Sequence, residues 1–480
     1  MPRRGLRRRA LVRQLPVRVK LVTLGCDKNT VDSERYLAQL LDHGAEPVED
    51  AEQAELIIVN TCGFIDAAKA ESIDAIVAAG RLKGSGAAQA VVAVGCMVER
   101  HKDELVDALP EVDFFLGASE TDQLVPKLRE RGLIGDPIVQ HPGLRVHAGD
   151  TPFVRYLKVS EGCDHGCAFC AIPLMRGKHR SFLPDDVVKE AQLLELQGAR
   201  EVNLVAQDLA HYGRDLRDQS VRLPELLEAL VRETSIPWIR NMYLYSSGIS
   251  PRLLEVIANN PRIVPYLDMP IQHASDAVLE RMRRPERQKT IREKVARFRE
   301  AVPGVAIRTT CIVGFPGETE EDFQQLVDFL QEIQFERVGV FTYSPQEGTR
   351  GALLDDDVPE GEKLRRLEII QELQRHITAE RYESRVGSIA PALVEAAATE
   401  HEPARARLPW QADDIDGVTW IETDAPAGSI VEVEVNEVVD DYDFTATYRR
   451  TLIAPPAADA VSSTRGRALP MLGSIGSFGR

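Results

Sequence analysis

From Val17 onward the chain alternates short apolar runs with stretches in which apolar residues recur every three or four positions. The first pattern suits buried strands and the second suits amphipathic helices. Val17 to Leu24 predicts a strand ending at Gly25-Cys26. Asp32 to His43 then carries Tyr36, Leu37, Leu40 and Leu41 at helical spacing and stops at Gly44. Leu56 to Asn60 predicts a second strand ending at Thr61-Cys62-Gly63, and Ala67 to Ala79 a helix. Ala90 to Val94 predicts a third strand, ending at Gly95-Cys96-Met97. Such βαβαβ alternation predicts an α/β domain built on a parallel sheet, here over residues 17–147.

Residues 136–150 are rich in loop formers and read as a linker. Beyond them, strand patterns at Phe153 to Val159, Glu201 to Ala206, Trp238 to Tyr245, Pro265 to Met269, Ala306 to Val313 and Arg337 to Tyr343 alternate with helical ones such as Pro184 to Gln197 and Glu320 to Gln331. Polar or glycine residues follow each strand, as on the active face of a TIM-like barrel, predicted for residues 148–385. After a helical stretch from Glu362 to Arg385 the period changes to 2. Strands at Ala392 to Val394, Gly417 to Glu422, Ile430 to Val439 and Asp443 to Tyr448 predict a small antiparallel, OB-like β-barrel over 386–454. Residues 455–480 have the composition of a disordered tail.

Composition narrows the class. In 480 residues, 44% hydrophobic and 28% charged, no apolar run reaches the length of a membrane helix. Seven cysteines, odd and dispersed, do not make a disulfide scaffold. Both features predict a cytoplasmic enzyme. The first twenty residues hold seven arginines, one lysine and no acid. They lack the apolar segment of a secretory signal, and residues 1–16 are expected to be a disordered basic extension.

The chemistry lies in the cysteines. Cys163, Cys167 and Cys170 form a C-x3-C-x2-C loop with Phe169 before the last. Zinc loops favour C-x2-C pairs closed to four ligands. Three thiolates instead fit a 4Fe–4S cluster with one iron left open. Cys26, Cys62 and Cys96 each follow a predicted strand and each adjoin a glycine. Ligands collect beyond the carboxyl ends of such strands, so these three thiolates predict a second open cluster. A two-cluster electron carrier would be expected to close its clusters with four cysteines each.

The cysteine loop, and the Gly314-Phe-Pro-Gly-Glu318 turn that ends the strand at Val313, resemble the cluster and adenine-binding elements of radical S-adenosylmethionine (SAM) enzymes. Gln207 and Asp208, at the next strand end, are placed to orient the methionine amino group or ribose of SAM. Arg308 is placed to meet a carboxylate, or else to pair structurally. Cys311, inside an apolar run, reads as packing. No side chain announces itself as an acid–base catalyst.

Residues 17–454 together resemble the methylthiotransferase family of radical SAM enzymes. The matching segments are Leu24-Gly-Cys-Asp-Lys-Asn-Thr-Val-Asp-Ser-Glu34, Asn60-Thr-Cys-Gly-Phe64, Val94-Gly-Cys-Met97, the Cys163 loop and Arg308-Thr-Thr-Cys-Ile-Val-Gly-Phe-Pro-Gly-Glu-Thr319. Trp410-Gln-Ala-Asp-Asp-Ile-Asp-Gly417 is similar to the acidic turn of the family's C-terminal TRAM barrel. Cys311 stands where an aromatic residue is more usual. The resemblance implies two 4Fe–4S clusters, SAM as both radical source and methyl donor, and an external electron donor. It also implies transfer of a methylthio group to a carbon radical made by a 5′-deoxyadenosyl radical.

The family's substrates are a tRNA adenosine or a protein aspartate. Residues 386–454 hold fourteen acids against four arginines, a net charge of −10 within a chain of −17. Such a barrel repels phosphates and attracts a basic protein. The segment from Leu24 to Glu34 also resembles the protein-modifying branch. Both point to an aspartate of small-subunit ribosomal protein twelve, and the arginine-rich start alone points to tRNA.

Overall fold

The structure is a computed structural model that describes residues 16–138, 145–147, 151–218 and 220–456. Nearly all of the basic extension and of the 455–480 segment lies outside the described residues. The chain divides into two compact units whose boundary falls at residues 148 and 149.

The first unit runs β1 (Arg18–Thr23), α1 (Asp27–Asp42), β2 (Glu46–Pro47), β3 (Leu56–Thr61), α2 (Asp66–Gly84), β4 (Ala90–Gly95), α3 (Cys96–Ala108), β5 (Phe114–Gly117) and α4 (Leu124–Glu130). Its strands make one parallel sheet in the order β2-β1-β3-β4-β5. Every residue of β3 and β4 is buried, which is why these strands are unbroken apolar runs without alternation. Fully burying one Leu, Ile or Val side chain stabilises by about 1.5–3 kcal/mol. Leu56, Ile57, Ile58 and Val59, all buried, therefore anchor the centre of the sheet. Tyr36 and Leu40 of α1 cover one face with Leu124 and Leu128 of α4. Ile76 of α2 and Leu105 of α3 cover the other.

Helix α1 starts five residues before the apolar spacing does, at Asp27. Its first turn is buried through polar groups: Asn29 is fully enclosed and hydrogen-bonds to carbonyls at two strand ends. Of the stretch read as a linker, residues 136–138 are exposed, whereas residues 145–147 are packed. Arg145 and His147 face Glu34 of α1, the latter at 3.4 Å, and Val146 packs on Leu37 and Ala38.

The second unit begins with β6 (Val154–Lys158), β7 (Ser160–Glu161), α5 (Ile172–Arg176), β8 (Arg180–Ser181), α6 (Pro184–Leu196), β9 (Glu201–Val205), α7 (Leu223–Glu233) and β10 (Trp238–Asn241). It continues through α8 (Pro251–Asn259), β11 (Ile263–Asp268), α9 (Asp276–Arg281), α10 (Gln288–Ala301), β12 (Ala306–Val313), α11 (Glu320–Ile333), β13 (Arg337–Thr342) and α12 (Glu360–Glu383). The TIM-like succession is present as six parallel strands in the order β13-β12-β11-β10-β9-β6, with β6 and β13 left as edges. A full TIM barrel would close on eight.

β14 (Ile389–Ala396), β15 (Ala404–Arg407), β16 (Thr419–Ile421), β17 (Ile430–Val439) and β18 (Asp443–Ile453) close a barrel in the order β14-β15-β16-β18-β17. Its pairings are antiparallel except for β16 with β18, which run parallel. This barrel rests on the N-terminal ends of the six strands. Glu201, the first residue of β9, accepts from Arg240 Nε at 2.6 Å and from Arg407 Nη2 of β15 at 2.5 Å. Burial alone would raise the Glu201 pKa, but the two guanidiniums outweigh it and lower it. Tyr266 donates to Asp416 at 2.5 Å, and Arg337 donates to the same carboxylate at 3.2 Å. The C-terminal ends of the six strands are thereby left open on the opposite side.

Candidate iron–sulphur and SAM sites

In the first unit Cys26 follows β1, Cys62 follows β3 and Cys96 opens α3 directly after β4. These three strands are neighbours, so the three thiols gather on one edge of the sheet. Cys62 and Cys96 are buried and Cys26 is exposed. The adjoining glycines are required by close approach. Gly25 has φ +92°, and a Cβ there would stand 2.7 Å from Cys62 Cβ and 2.8 Å from its Sγ. Gly95, at φ +102°, would place a Cβ 2.5 Å from Asn60 Oδ1.

A polar scaffold holds this edge. Asn29 Nδ2 donates to Leu24 O at 2.8 Å and Thr61 O at 3.0 Å, while Asn60 Nδ2 donates to Asn29 O at 2.9 Å. Ser72 Oγ accepts from the Cys62 amide and donates to the Cys62 carbonyl, both at 3.0 Å. Three soft thiolate donors over a glycine floor fit an iron–sulphur cluster with one open iron.

In the second unit the loop between β7 and α5 carries Cys163, Cys167 and Cys170. Burial pushes the Cys163 thiol up to about 11 and the Cys170 thiol up to about 12. Thiols held neutral in this way need a bound cation to become thiolates, which is the service iron would supply. Cys311, the seventh cysteine, is buried in the apolar core, and burial raises its thiol as well.

The loop is fixed by groups the sequence did not single out. His165 Nε2 meets Asp208 Oδ2 at 2.6 Å, and His211 meets the same oxygen. Burial opposes ionisation of Asp208, but the two histidine hydrogen bonds prevail and hold its carboxyl well below the usual carboxylate range. Asp208 also accepts from the amides of Ala210 at 3.0 Å and Tyr245 at 3.3 Å. Its observed contacts therefore brace the cysteine loop. His165 stacks on Tyr245 with ring centroids 3.9 Å apart, and the Arg284 guanidinium lies 3.9 Å from the centroid of that ring. Both groups at that distance require opposite faces, so the tyrosine ring is sandwiched. Arg284 Nη1 reaches Cys167 Sγ at 3.9 Å.

Other predicted residues are placed as follows. Gln207 donates to Glu161 at 2.7 Å, and the same carboxyl group takes Lys158 at 2.6 Å and Arg176 at 3.3 Å. Arg308 pairs with Asp268 at 2.8 Å across β12 and β11, the structural partner open to it in the sequence. Val313 ends β12 and Gly314 turns at φ +73°, where a Cβ would stand 2.3 Å from Lys363 Cγ. Glu318 clasps the turn by accepting from the amides of Gly314 and Phe315. Phe169 packs in one apolar cluster with Ala168, Phe315 and Tyr343. That cluster brings the cysteine loop and the Gly314 turn together at the C-terminal ends of the strands. His165, His211, Tyr245 and Arg284 surround the loop without having been singled out in the sequence. Two of them carry a signal there: His165 lies inside the cysteine spacing, and His211 stands three residues after Asp208.

An open parallel barrel, with a three-cysteine loop beside a glycine turn, defines a radical SAM protein, here joined to a second cysteine triad on a separate α/β unit. Residues 157–330 match the radical SAM superfamily, and residues 18–117 match the uncharacterized protein family UPF0004. The chain belongs to the family of the ribosomal protein uS12 methylthiotransferase RimO. It is 44% identical to that protein of Anaeromyxobacter sp. (strain Fw109-5) over 471 residues, 95% of this chain and 99% of the relative. The RimO proteins of Myxococcus xanthus, 44% identical over 90% of this chain and 91% of the relative, and Geobacter sulfurreducens, 40% identical over 89% and 97%, are further relatives. Among solved structures, the radical SAM methyltransferase TsrM of Kitasatospora setae shares the fold at a TM-score of 0.50. It is 15% identical, with 67% of this chain and 72% of that one covered.

Proposed function

We propose that this protein is a radical SAM transferase that places a methylthio group on an aspartate of ribosomal protein uS12. The observation that carries this reading is the pair of separate three-thiolate sites in a chain similar over nearly its whole length to uS12 methylthiotransferases. The 4Fe–4S cluster of the second unit would supply the electron that cleaves SAM, and that of the first the sulphur that is transferred. No helix among the described residues is long and apolar enough to cross a membrane. We assign the enzyme to the cytoplasm, with an external electron donor.

The division of labour follows the sequence boundaries: residues 17–147 hold the second cluster through Cys26, Cys62 and Cys96, and residues 148–385 hold the radical cluster through Cys163, Cys167 and Cys170. Phe169, Gln207, Asp208, Arg308, Val313 and Gly314 are assigned to the SAM side of that barrel. Asp208 acts there by fixing His165, and Arg308 by fixing Asp268. The apolar cluster around Phe315 and Tyr343 keeps water from the cysteine loop.

Residues 386–454 are assigned to substrate. Of their acids, Glu395, Asp413 and Asp416 are enclosed or largely so, while Glu400, Glu402, Asp414, Glu422, Asp424, Glu437, Asp440 and Asp441 face solvent. That exposed set steers a basic protein and repels RNA. Incubation of the reconstituted enzyme with SAM, reductant and sulphide, separately with uS12 and with tRNA, tests the choice. A methylthio mass gain on uS12 supports it, and a gain on tRNA alone contradicts it.

A further inference from the structure

Arg284 follows α9 in a run of basic residues, Arg281-Met-Arg-Arg284, that sequence pattern would assign to solvent, yet it is 4% exposed. A buried guanidinium is costly unless each face and edge is met. Nη2 donates to Pro270 O at 2.8 Å, Nε faces Glu286 Oε2 at 3.3 Å and the plane lies against Tyr245. Glu286 is held in turn by Ser246 Oγ at 2.6 Å, which also accepts from Lys294 at 3.1 Å. The remaining edge, Nη1, points at Cys167 Sγ at 3.9 Å. Glu286 and Tyr245 thus aim one fixed positive charge at one sulphur of the cysteine loop.

We infer that Arg284 sets the electron affinity of the cluster held by Cys163, Cys167 and Cys170, by donating an N–H to Cys167 Sγ. A positive charge and a hydrogen bond at a ligating sulphur both stabilise the reduced, more negative state, and hydrogen bonding to sulphur is one of the levers that tune such centres. Arg284 is therefore a positioning and tuning residue. It touches a ligand of the cluster and takes no part in bond making. The inference rests on the cluster assignment above.

The test is a redox titration of the reconstituted full-length protein, followed by electron paramagnetic resonance. The C163A/C167A/C170A variant identifies the couple belonging to the first unit. Arg284→Gln is expected to lower the electron affinity of the second unit's cluster about tenfold, which for one electron is about 59 mV more negative. Glu286→Gln is expected to move it the other way, because Arg284 then keeps its charge unneutralised. A purely structural brace would change iron content or stability and leave the potential in place. Unchanged potentials in both variants with full clusters, or shifts of the same sign, overturn the inference. If Arg284→Gln fails to hold iron, Glu286→Gln decides alone, a rise supporting the inference and no change or a fall overturning it. Failure of the wild type to bind a cluster at this loop would instead count against the cluster assignment.

Discussion

Arg407 of the C-terminal barrel donates from Nη2 to Oε2 of Glu201 at 2.5 Å, and the two side chains are 1% and 0% exposed. Arg407 also meets Glu395 of its own barrel, and Glu201 meets Arg240 of the neighbouring strand. Breaking a buried pair from one side leaves an uncompensated charge and costs about 3–5 kcal/mol. Glu201→Gln or Arg407→Met should accordingly bring the unfolding of the second unit to markedly lower urea. A midpoint equal to wild type would show that the barrel is held by its apolar contacts alone.

Asp413 lies beside the same pair, and burial pushes its carboxyl up to about 7, more than the nearby Arg407 lowers it. A carboxyl raised on folding binds its proton more tightly in the native state, so stability is lost as pH rises from about 4 to about 7. Asp413→Asn removes this loss. The variant should be more stable than wild type at pH 8, by up to about 4 kcal/mol, and equal to it near pH 4. Urea midpoints at the two pH values check the sign.

Asp208 hydrogen-bonds to His165, which sits between Cys163 and Cys167, proposed to hold the cluster. Loss of such an outer partner typically costs 10–100-fold in metal affinity or activity. Asp208→Asn is expected to lower SAM cleavage by about that factor while iron bound to the first unit is retained. Iron analysis together with 5′-deoxyadenosine assay separates the two effects.

Gly25→Ala would set a Cβ 2.7 Å from that of Cys62, in a left-handed backbone conformation that L-residues rarely adopt. The first unit should lose its iron, and methylthio transfer with it, while SAM cleavage in the second unit persists. Retained iron in both units would mean that the edge can relax around the added methyl group.

What the sequence made legible follows from burial. β3 and β4 could be located from their apolar runs because both faces are covered. Cys26, Cys62 and Cys96 could be grouped because each follows one of three strands, β1, β3 and β4, that are adjacent in the sheet. β15 escaped because Ala404-Arg-Ala-Arg407 turns an arginine inward, against the rule that charges face water. Arg284 escaped for the same reason. Asn29 hid the start of α1, since hydrogen bonds bury it where periodicity looks for apolar residues. Asp208 was located as a strand-end polar group. His211 stands three residues after it in the turn it caps, but its other partner, His165, lies 43 residues away, where no spacing rule connects the two.

The two cysteine triads are proposed to do different work, one cleaving SAM and the other delivering sulphur. The most direct test compares C26A/C62A/C96A with C163A/C167A/C170A in the presence of uS12, SAM and reductant, measuring 5′-deoxyadenosine and the mass of uS12. The first variant should form 5′-deoxyadenosine and leave uS12 without a methylthio group, and the second should do neither. Methylthio transfer by the first variant, or SAM cleavage by the second, would contradict the account.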